Sequence, residues 1–392
     1  MAHVRYLAIA TGIQAVVTLT VATVPVLAPS IIPELGMGAH LVGYYAALTY
    51  AIAMNTALLG GRLVDRHGAL RITQISLLTC ALGLLVATHG SLAAFALSAV
   101  LIGAGMGPVT PAGSALLARV TPVEWMALSF SIRQSGVPAG VALAGAILPG
   151  LALVVGWRGG VVAVAVACVV LAVSLEGLRA SADHVDRSGS KGPDALYGLR
   201  FVLTDPGLAV IAVASFFFAG IQHCFITYAT SYFTGEFHLS LPAAGVLLTI
   251  AQIAGISARL TWGLIADRWI RGKWLLVLSG FGMAAAACLL GSMTETWPYL
   301  AMAVVSALFG ATGIGWNGVY LNEVARIAGR ERIGLATGGT LFFTYLGMVI
   351  NPLIFGQLVT HTHSYAIGFI TIAIPVLIST WFVARMRPSV RL

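Results

Sequence analysis

The stretch Gln252-Ile-Ala-Gly-Ile-Ser-Ala-Arg259-Leu-Thr-Trp-Gly263-Leu-Ile-Ala-Asp267-Arg268 ends a long apolar run with two charged residues. Arg259 lies inside that run, eight residues before Asp267. An arginine in the hydrocarbon of a bilayer costs from about 3 to above 10 kcal/mol, so its side chain usually faces a water-filled cavity or an anion. A membrane span needs about 20 apolar residues, and this run is long enough. The stretch therefore predicts a membrane helix with a functional charge.

The composition of the whole chain agrees with that prediction. Of 392 residues, 59% are hydrophobic and only 9% are charged, with a mean hydropathy of +0.95. Soluble proteins carry about 25% charged residues. In lipid the backbone must satisfy its own polar groups, which leaves helices or a closed barrel. Because the apolar runs are far longer than the roughly 10-residue strands of a barrel, we predict an all-α integral membrane protein.

Twelve apolar segments recur along the chain, each long enough for one span. Arg5 before the first segment resembles the start of a signal peptide, but the run from Leu7 to Pro33 is too long, which predicts an uncleaved first helix. The segments cover approximately residues 6–33, 40–61, 70–89, 92–118, 125–152, 159–179, 206–234, 241–266, 274–293, 297–325, 333–360 and 364–385.

Basic residues predict the orientation of these spans. With the N-terminus in the cytoplasm, 18 of the 21 Lys and Arg residues fall on the cytoplasmic side, and only Arg158 falls on the other. Arg133 and Arg259 lie within spans. Because Lys and Arg accumulate in cytoplasmic loops, both termini are expected to be cytoplasmic. The net charge of +8 is spread over span ends, so it does not indicate nucleic-acid binding.

The four cysteines lie inside apolar segments, where cysteine usually acts as a small buried hydrophobe. We therefore expect no disulfide, and their spacing matches no metal site. These residues are Cys80, Cys168, Cys224 and Cys288.

A polar stretch divides the chain into two halves of six spans. Residues 181–205 contain Asp, Lys, Gly and Pro in a composition typical of a solvated cytoplasmic linker. This predicts an N-terminal bundle over residues 1–180 and a C-terminal bundle over residues 206–392.

The two halves resemble each other in sequence. Residues 61–66, Gly-Arg-Leu-Val-Asp-Arg, follow span two, and residues 263–268, Gly-Leu-Ile-Ala-Asp-Arg, follow span eight. Gly103 in span four matches Gly310 in span ten. The two offsets, about 202 and 207 residues, agree. Duplicated halves are a common plan of secondary transporters, whose binding site lies between the repeats near mid-membrane.

Residues 61–71, Gly-Arg-Leu-Val-Asp-Arg-His-Gly-Ala-Leu-Arg, resemble the signature of the major facilitator superfamily, Gly-x-Leu-x-Asp-Arg-x-Gly-Arg-Arg. Ala69 and Leu70 depart from it. The resemblance implies twelve transmembrane helices in two pseudo-symmetric six-helix bundles. Gly61 would permit close helix approach, and Asp65 would complement a helix N-terminus or a basic side chain.

The charged turns after spans two and eight are predicted to act as gates that favour one conformational state over another. The alternative is that they only set the topology of the chain. The predicted gating residues are Gly61, Asp65, Arg66, Asp267 and Arg268.

Two departures count against the drug/proton antiporters of this family. Those proteins typically carry an arginine in span four, where this chain has Ala99. Their glycine-proline motif in span five is matched only loosely by Gly136-Val-Pro138-Ala-Gly140.

Arg259 is the strongest candidate for binding substrate. It shares a helical stripe with Gln252, Gly255 and Gly263, and small residues allow a neighbouring helix to pack closely. The pattern is similar to span eight of oxalate/formate exchangers and monocarboxylate porters, where the matching arginine engages a carboxylate. Span eleven lacks the lysine of the oxalate carriers. The alternative is a snorkelling arginine at the inner interface.

Arg133 is the second charge within a span, about eight residues beyond Glu124. Gly136 and Gly140 form a small-residue stripe beside it. Two interpretations stay open: Arg133 lines the cavity, or it pairs with Glu124 or lipid headgroups at the inner surface.

Polar and aromatic side chains in other spans complete the predicted substrate site. Each can also be a packing residue, and His223 is the preferred site for a coupled proton. The candidates are Gln14, Tyr45, Asn55, Gln222, His223, Gln252, Trp316, Asn317, Tyr320, Phe342 and Tyr345.

The sequence places no Asp or Glu deep in a span, so the expected counter-ion of the two arginines is the substrate. We predict a secondary transporter of a small organic anion, a mono- or dicarboxylate, working by proton symport or anion exchange. A multidrug or neutral-solute antiporter and a non-transporting scaffold or sensor are the alternatives.

No nucleophile, metal cluster or phosphate loop suggests an enzyme. We expect a monomer in the inner membrane, with no cofactor, metal or nucleic acid.

Overall fold

The computed structural model describes residues 2–38, 40–122, 125–183, 195–329 and 332–386. Within these ranges every element is a helix, as predicted. The helices are α1 (Ala2–Leu35), α2 (His40–His67), α3 (Ala69–Ala87), α4 (Leu92–Met106), α5 (Val109–Val120), α6 (Met126–Gln134), α7 (Gly136–Ser174), α8 (Glu176–Ala182), α9 (Ala195–Thr204), α10 (Pro206–Glu236), α11 (Leu241–Arg268), α12 (Gly272–Ser292), α13 (Tyr299–Gly313), α14 (Asn317–Ala328), α15 (Ile333–Thr362) and α16 (Tyr365–Arg385).

The described helices provide twelve spans. Eleven helical stretches are long and apolar enough to cross a membrane, and one of these, Leu128–Arg179, has 52 residues. Gly156 interrupts that stretch with φ 72° and ψ 167°. Residues with a Cβ avoid this conformation, whereas glycine adopts it without steric cost. Spans five and six therefore meet at Gly156, which confirms the count of twelve.

Spans four and ten are broken helices, a feature that the apolar pattern did not predict. In span four, α4 ends at Met106 and α5 begins at Val109. Pro108 between them has no N–H to donate, so it cannot continue the helical bonding of α4. In span ten, α13 ends at Gly313 and α14 begins at Asn317. Both breaks leave backbone groups that need partners within the protein.

The signature residues after spans two and eight are helical. Charged turns were expected after residues 61 and 266, and this was wrong, because α2 continues to His67 and α11 to Arg268. A change from apolar to polar residues does not by itself end a helix. The break after α2 comes at Gly68, whose φ of 92° ends the helix.

The chain divides into two compact units. Unit 1 comprises Met1–Met37 and Leu48–Gly192, and unit 2 comprises Gly38–Ala47 and Pro193–Leu392. In unit 1, α1 packs along α7 because Gly136 and Gly140 face its backbone. A Cβ at Gly136 would lie 2.6 Å from the Thr11 carbonyl oxygen. Glycine is thus required where these two helices cross.

Unit 2 is built around α10, whose residues 218–233 are all buried. The start of α2 belongs to this unit. There the Tyr228 hydroxyl donates to the Pro352 carbonyl at 3.1 Å and lies against Gly43 and Gly356. The end of the predicted linker also belongs here, since α9 packs Gly198 against α15. The bundle and linker boundaries stay predictions.

Helix contacts repeat between the units in the way that the sequence repeat predicts. In unit 1, Gly103 faces the backbone carbonyl of Thr49, and in unit 2, Gly310 faces that of Ala251. The glycines are 207 residues apart and their partners 202. Any larger residue at either glycine would push two spans apart.

A second pair of contacts follows the same rule. Gly140 lies against the Ala15 carbonyl in unit 1, and Gly347 lies against the Phe216 carbonyl in unit 2. The glycines are again 207 residues apart. Span five therefore packs on span one as span eleven packs on span seven.

Candidate functional site

Arg133 lies at the end of α6 in unit 1 and is only 2% exposed. Its Nη1 donates to Oε1 of Gln14 at 3.2 Å, and its Nη2 donates to Oγ of Ser114 at 3.4 Å. Such burial is incompatible with a place among lipid headgroups. Glu124, the alternative partner, lies outside the described residues.

Glycines position the Arg133 guanidinium. Gly113 of α5 lies beside it, and a Cβ there would come within 3.0 Å of Nη1. Gly136 allows α1 to approach so closely that a Cβ would lie 2.9 Å from Cβ of Gln14. The close crossing of α1 thus presents the Gln14 amide to Arg133.

Arg259 of α11 is bound to the break in span ten. It is 9% exposed, and its Nη2 donates to the Ile314 carbonyl at 3.3 Å. Nδ2 of Asn317 lies 3.5 Å from the same oxygen. This carbonyl is available because the helix stops at Gly313. The guanidinium therefore points into the protein and does not snorkel to the interface.

Gln222 of α10 accepts hydrogen bonds from two residues at the break in span ten. Its Oε1 accepts from Nε1 of Trp316 at 3.0 Å and from Nδ2 of Asn317 at 3.4 Å. The Trp316 ring contacts Phe218 and Tyr320 edge-on, with centroids 5.5 and 5.1 Å away. Three predicted site residues thus form one hydrogen-bonded cluster in unit 2.

Tyr320 extends this cluster through two residues that sequence reasoning missed. Its hydroxyl lies 3.3 Å from Oγ1 of Thr344, which donates to Oγ of Ser215 at 3.1 Å. Single Ser and Thr residues are frequent in membrane helices and often bond only to their own backbone. No sequence signal distinguishes Ser215, Thr344 or Ser114 from such residues.

Gln252 is completely buried on α11, one turn from Gly255. Neither its Oε1 nor its Nε2 has a hydrogen-bond partner among the described residues. A buried amide without partners costs about 1–3 kcal/mol. Such a group is suited to bind a polar ligand or water.

The remaining candidates differ in exposure. Tyr45 and His223 are buried, while Phe342 and Tyr345 are half-buried. Asn55 is exposed, and its Nδ2 donates to the Ala51 carbonyl of its own helix at 2.8 Å. Their part in a binding site stays a prediction.

The two arginines do not occupy equivalent positions in the two units, although the glycine contacts do. The residue 207 positions after Arg133 is Thr340, and the residue 202 positions before Arg259 is Ala57. Among the described residues each unit therefore has one buried cation, in a different span. The helix contacts repeat between the units, but the position of the buried arginine does not.

The predicted gating residues of unit 1 lie on the last turns of α2. Gly61 and Arg66 are exposed and Asp65 is half-buried. The close approach expected at Gly61 was wrong, because open space surrounds it; Gly60 makes that contact, against Pro111. The side chains of Asp267 and Arg268 lie outside the described residues. A gating role for these five residues stays a prediction.

The N-terminus of α3 is capped by a carboxylate from distant sequence. Asp183, which follows α8, accepts from the backbone N–H of Leu70 at 2.8 Å and from that of Arg71 at 3.1 Å. A carboxylate at this end of a helix pairs amides that lack helical partners. A Cβ at Gly68 would lie 2.5 Å from Cγ of Asp183, so Gly68 makes room for the cap. Asp183 thus joins the end of span six to the signature segment.

Replacing Asp183 by alanine is expected to lower the free energy of unfolding by about 1–2 kcal/mol, since it removes two capping bonds of α3. Thermal unfolding of the purified protein measures this. Asp183→Asn keeps an acceptor oxygen and is expected to lose less than half as much. Equal stability of wild type and Asp183→Ala would contradict the capping role.

The sequence model of the Major Facilitator Superfamily matches residues 10–324. The chain is 23% identical over 374 residues to the Probable L-galactonate transporter of Escherichia coli (strain K12), covering 86% of this chain and 79% of that protein. It is 22% identical over 331 residues to the Hexuronate transporter of Bacillus subtilis (strain 168), covering 80% and 77%.

Other similarities are shorter or concern the fold. The chain is 30% identical over 145 residues to Multidrug resistance protein MdtG of Yersinia enterocolitica, covering 36% of this chain and 34% of that protein. The crystal structure of a mutant of the nucleoside transporter NupG superposes with a TM-score of 0.79 at 14% identity, covering 97% of this chain and 100% of that one. The latter similarity concerns the fold and carries no information about substrate.

Proposed function

Since this chain belongs to the major facilitator superfamily, we propose that it carries a small organic anion, a mono- or dicarboxylate, across the membrane by alternating access. The chain is a multi-pass transporter of the inner membrane and not an enzyme. The identity of its substrate and its coupling ion are the parts that we propose.

The observation that carries this proposal is the burial of one arginine in each unit. Arg133 is 2% and Arg259 9% exposed. Their N–H groups donate to neutral oxygens of Gln14, Ser114 and Ile314. A substrate carboxylate is a stronger acceptor for such groups and pairs with a guanidinium in two parallel bonds. An anion would also offset the cost of burying the charges.

The relatives support a carboxylate with hydroxyl groups. L-Galactonate and hexuronates, the compounds in the names of two relatives, are sugar acids with one carboxylate each. The neutral amides of Gln222, Asn317 and Gln252 are groups that bind hydroxyls. We therefore propose that Arg259 binds the carboxylate and that these amides, which belong to the same unit, bind the hydroxyls of the carbon skeleton.

We propose that transport is coupled either to protons or to a second anion. A carrier that changed conformation with both arginine sites empty would have to keep two buried positive charges without substrate, which is unfavourable. Exchange avoids this step, and symport needs a protonating group. Buried His223 is our candidate for that group.

A multidrug or neutral-solute antiporter is the second candidate function. The segment that is 30% identical to MdtG favours it. Exporters of cations generally use a carboxylate within the membrane. Among the described residues the buried carboxylate is Glu323, which binds Arg326 through both oxygens at 3.0 and 2.5 Å.

Thermal unfolding in the presence of ligands distinguishes the two functions. A ligand at 100 times its dissociation constant stabilises the folded protein by about 2.7 kcal/mol. Galactonate and related carboxylates are expected to raise the unfolding temperature, whereas the neutral polyol galactitol and cationic dyes are not. Stabilisation by cations and not by carboxylates would reject the anion proposal.

Gln252→Leu is expected to change stability and affinity in opposite directions. Leucine removes a buried amide without partners, so the free energy of unfolding should stay equal or rise by about 1 kcal/mol. Loss of a bond to a substrate hydroxyl should weaken sugar-acid binding about tenfold. Unfolding temperature and ligand titration measure the two effects.

Gln357 supplies the control for this substitution. Its Nε2 donates to the Tyr44 hydroxyl at 2.7 Å, so Gln357→Leu removes a bond that is made. That variant should lose some stability and keep its affinity. Unchanged affinity in Gln252→Leu would exclude Gln252 from the binding site.

A further inference from the structure

The start of α12 and the end of α16 meet in unit 2. Nζ of Lys273, the second residue of α12, donates to the carbonyl of Met386 at 2.6 Å. The two helices also pack along their length. Side chains from both ends therefore form one surface.

Basic and aromatic side chains alternate on this surface. Nζ of Lys273 lies 4.9 Å from the centroid of the Trp274 ring, and Cζ of Arg385 lies 4.0 Å from that of Trp381. Trp274 is 51% and Trp381 43% exposed, and Arg271 is exposed beside them. We call Arg271, Lys273, Trp274, Trp381 and Arg385 the α12–α16 end.

Exposed apolar side chains continue from this end along both helices. They recur every three or four residues, so each helix presents one stripe on its surface. On α12 the stripe is Trp274, Leu278 and Phe281, and on α16 it is Trp381, Ile378, Ile374 and Ile370.

The carboxylate of Glu323 does not cancel the positive charge of the α12–α16 end. It lies under the first turn, where a Cβ on Gly272 would be 3.2 Å from its Oε2. The negative charge of Glu323 is already compensated by its bidentate bond to Arg326. The three cations therefore make the α12–α16 end net positive.

We propose that the α12–α16 end binds an anionic phospholipid, with the headgroup phosphate at Arg271, Lys273 and Arg385 and the acyl chains along the two apolar stripes. Tryptophan rings prefer the headgroup level of a bilayer. Basic side chains between membrane helices attract anionic headgroups, which are enriched in the cytoplasmic leaflet, where the positive-inside rule places this end. The two apolar stripes lie next to the three cations and fit acyl chains attached to the bound phosphate, which a soluble anion lacks, so we assign the site to a lipid. This inference does not depend on the transported substrate.

Lipid retention measured by native mass spectrometry tests the proposal. The purified protein is titrated with dioleoyl phosphatidylglycerol or with dioleoyl phosphatidylcholine in the same detergent. One phosphatidylglycerol should stay bound after collisional release of the detergent, and phosphatidylcholine should not. Loss of two cations in Arg271→Gln/Arg385→Gln should weaken phosphatidylglycerol binding about 30-fold, at about 1 kcal/mol for each charge.

The double variant Arg200→Gln/Arg332→Gln removes the same charge elsewhere, since both arginines are exposed and Arg332 lies 5.5 Å above the Phe201 ring. It should retain the lipid like wild type. Equal loss in both double variants, or equal retention in both, would overturn the site. Equal retention of the two lipids by wild type, or displacement of phosphatidylglycerol by inorganic phosphate, would overturn it without any variant.

Discussion

Arg259→Gln is expected to bind the transported anion about 100-fold more weakly than wild type, because it loses a charged hydrogen bond worth up to about 3 kcal/mol. Glutamine removes the charge and keeps a polar N–H group on the side chain, while the Ile314 carbonyl keeps Nδ2 of Asn317 beside it at 3.5 Å. Arg259→Lys keeps the charge but not the two parallel bonds, and we expect a loss of about tenfold. Uptake into proteoliposomes over a range of substrate concentrations measures both.

Arg200→Gln is the matched control, since Arg200 is exposed on α9 and lies outside the proposed site. It should transport like wild type. If Arg259→Gln transported the anion with unchanged affinity and rate, Arg259 would have no role in binding.

Gly310→Val is expected to have the largest effect on stability. Gly310 faces the backbone carbonyl of Ala251, and a Cβ there would overlap the oxygen. Backbone cannot move aside as a flexible side chain can, so α11 and α13 must separate. Overpacking of this kind costs about 3 kcal/mol, the upper end of the usual range. The unfolding temperature and the yield of monodisperse protein measure the loss.

Gly263→Val makes the same chemical change on α11, but nothing lies within 4 Å of a Cβ at Gly263. Its stability should stay within about 1 kcal/mol of wild type, since valine is a better helix former than glycine. If both variants were equally stable, the close crossing of α11 and α13 would be wrong.

The sequence predicted the spans because a bilayer imposes a length and a composition on each helix. Eleven of the twelve segments were delimited to within a few residues of the helices in the structure, and span two extends further, to His67. The repeat also predicted which glycines correspond, as Gly103 and Gly310 show by their equivalent contacts. Gly255 packs against Ile314 as expected, whereas Gly263 has open space around it. The stripe of small residues on α11 therefore predicted the close helix contact at Gly255 correctly, but predicted one at Gly263 that the structure does not have.

The polar contacts could be predicted only in part. Intramembrane charge singled out Arg133 and Arg259, because such residues are costly and rare. Nothing in the sequence indicated that Arg259 would bind the Ile314 carbonyl, since that acceptor exists only because span ten breaks after Gly313. The capping of α3 by Asp183 was missed for a similar reason: the two segments are more than 100 residues apart and no local pattern relates them.

Anion transport is tested most directly by uptake of labelled solutes into proteoliposomes that contain the purified protein. A panel would compare galactonate, glucuronate and a simple monocarboxylate with galactitol and a cationic dye, with and without a trapped anion or a proton gradient. We predict saturable uptake of at least one carboxylate, driven by the trapped anion or the proton gradient, and no saturable uptake of galactitol or the dye. Coupled transport of the dye or of galactitol, without transport of any carboxylate, would contradict the proposed anion transport.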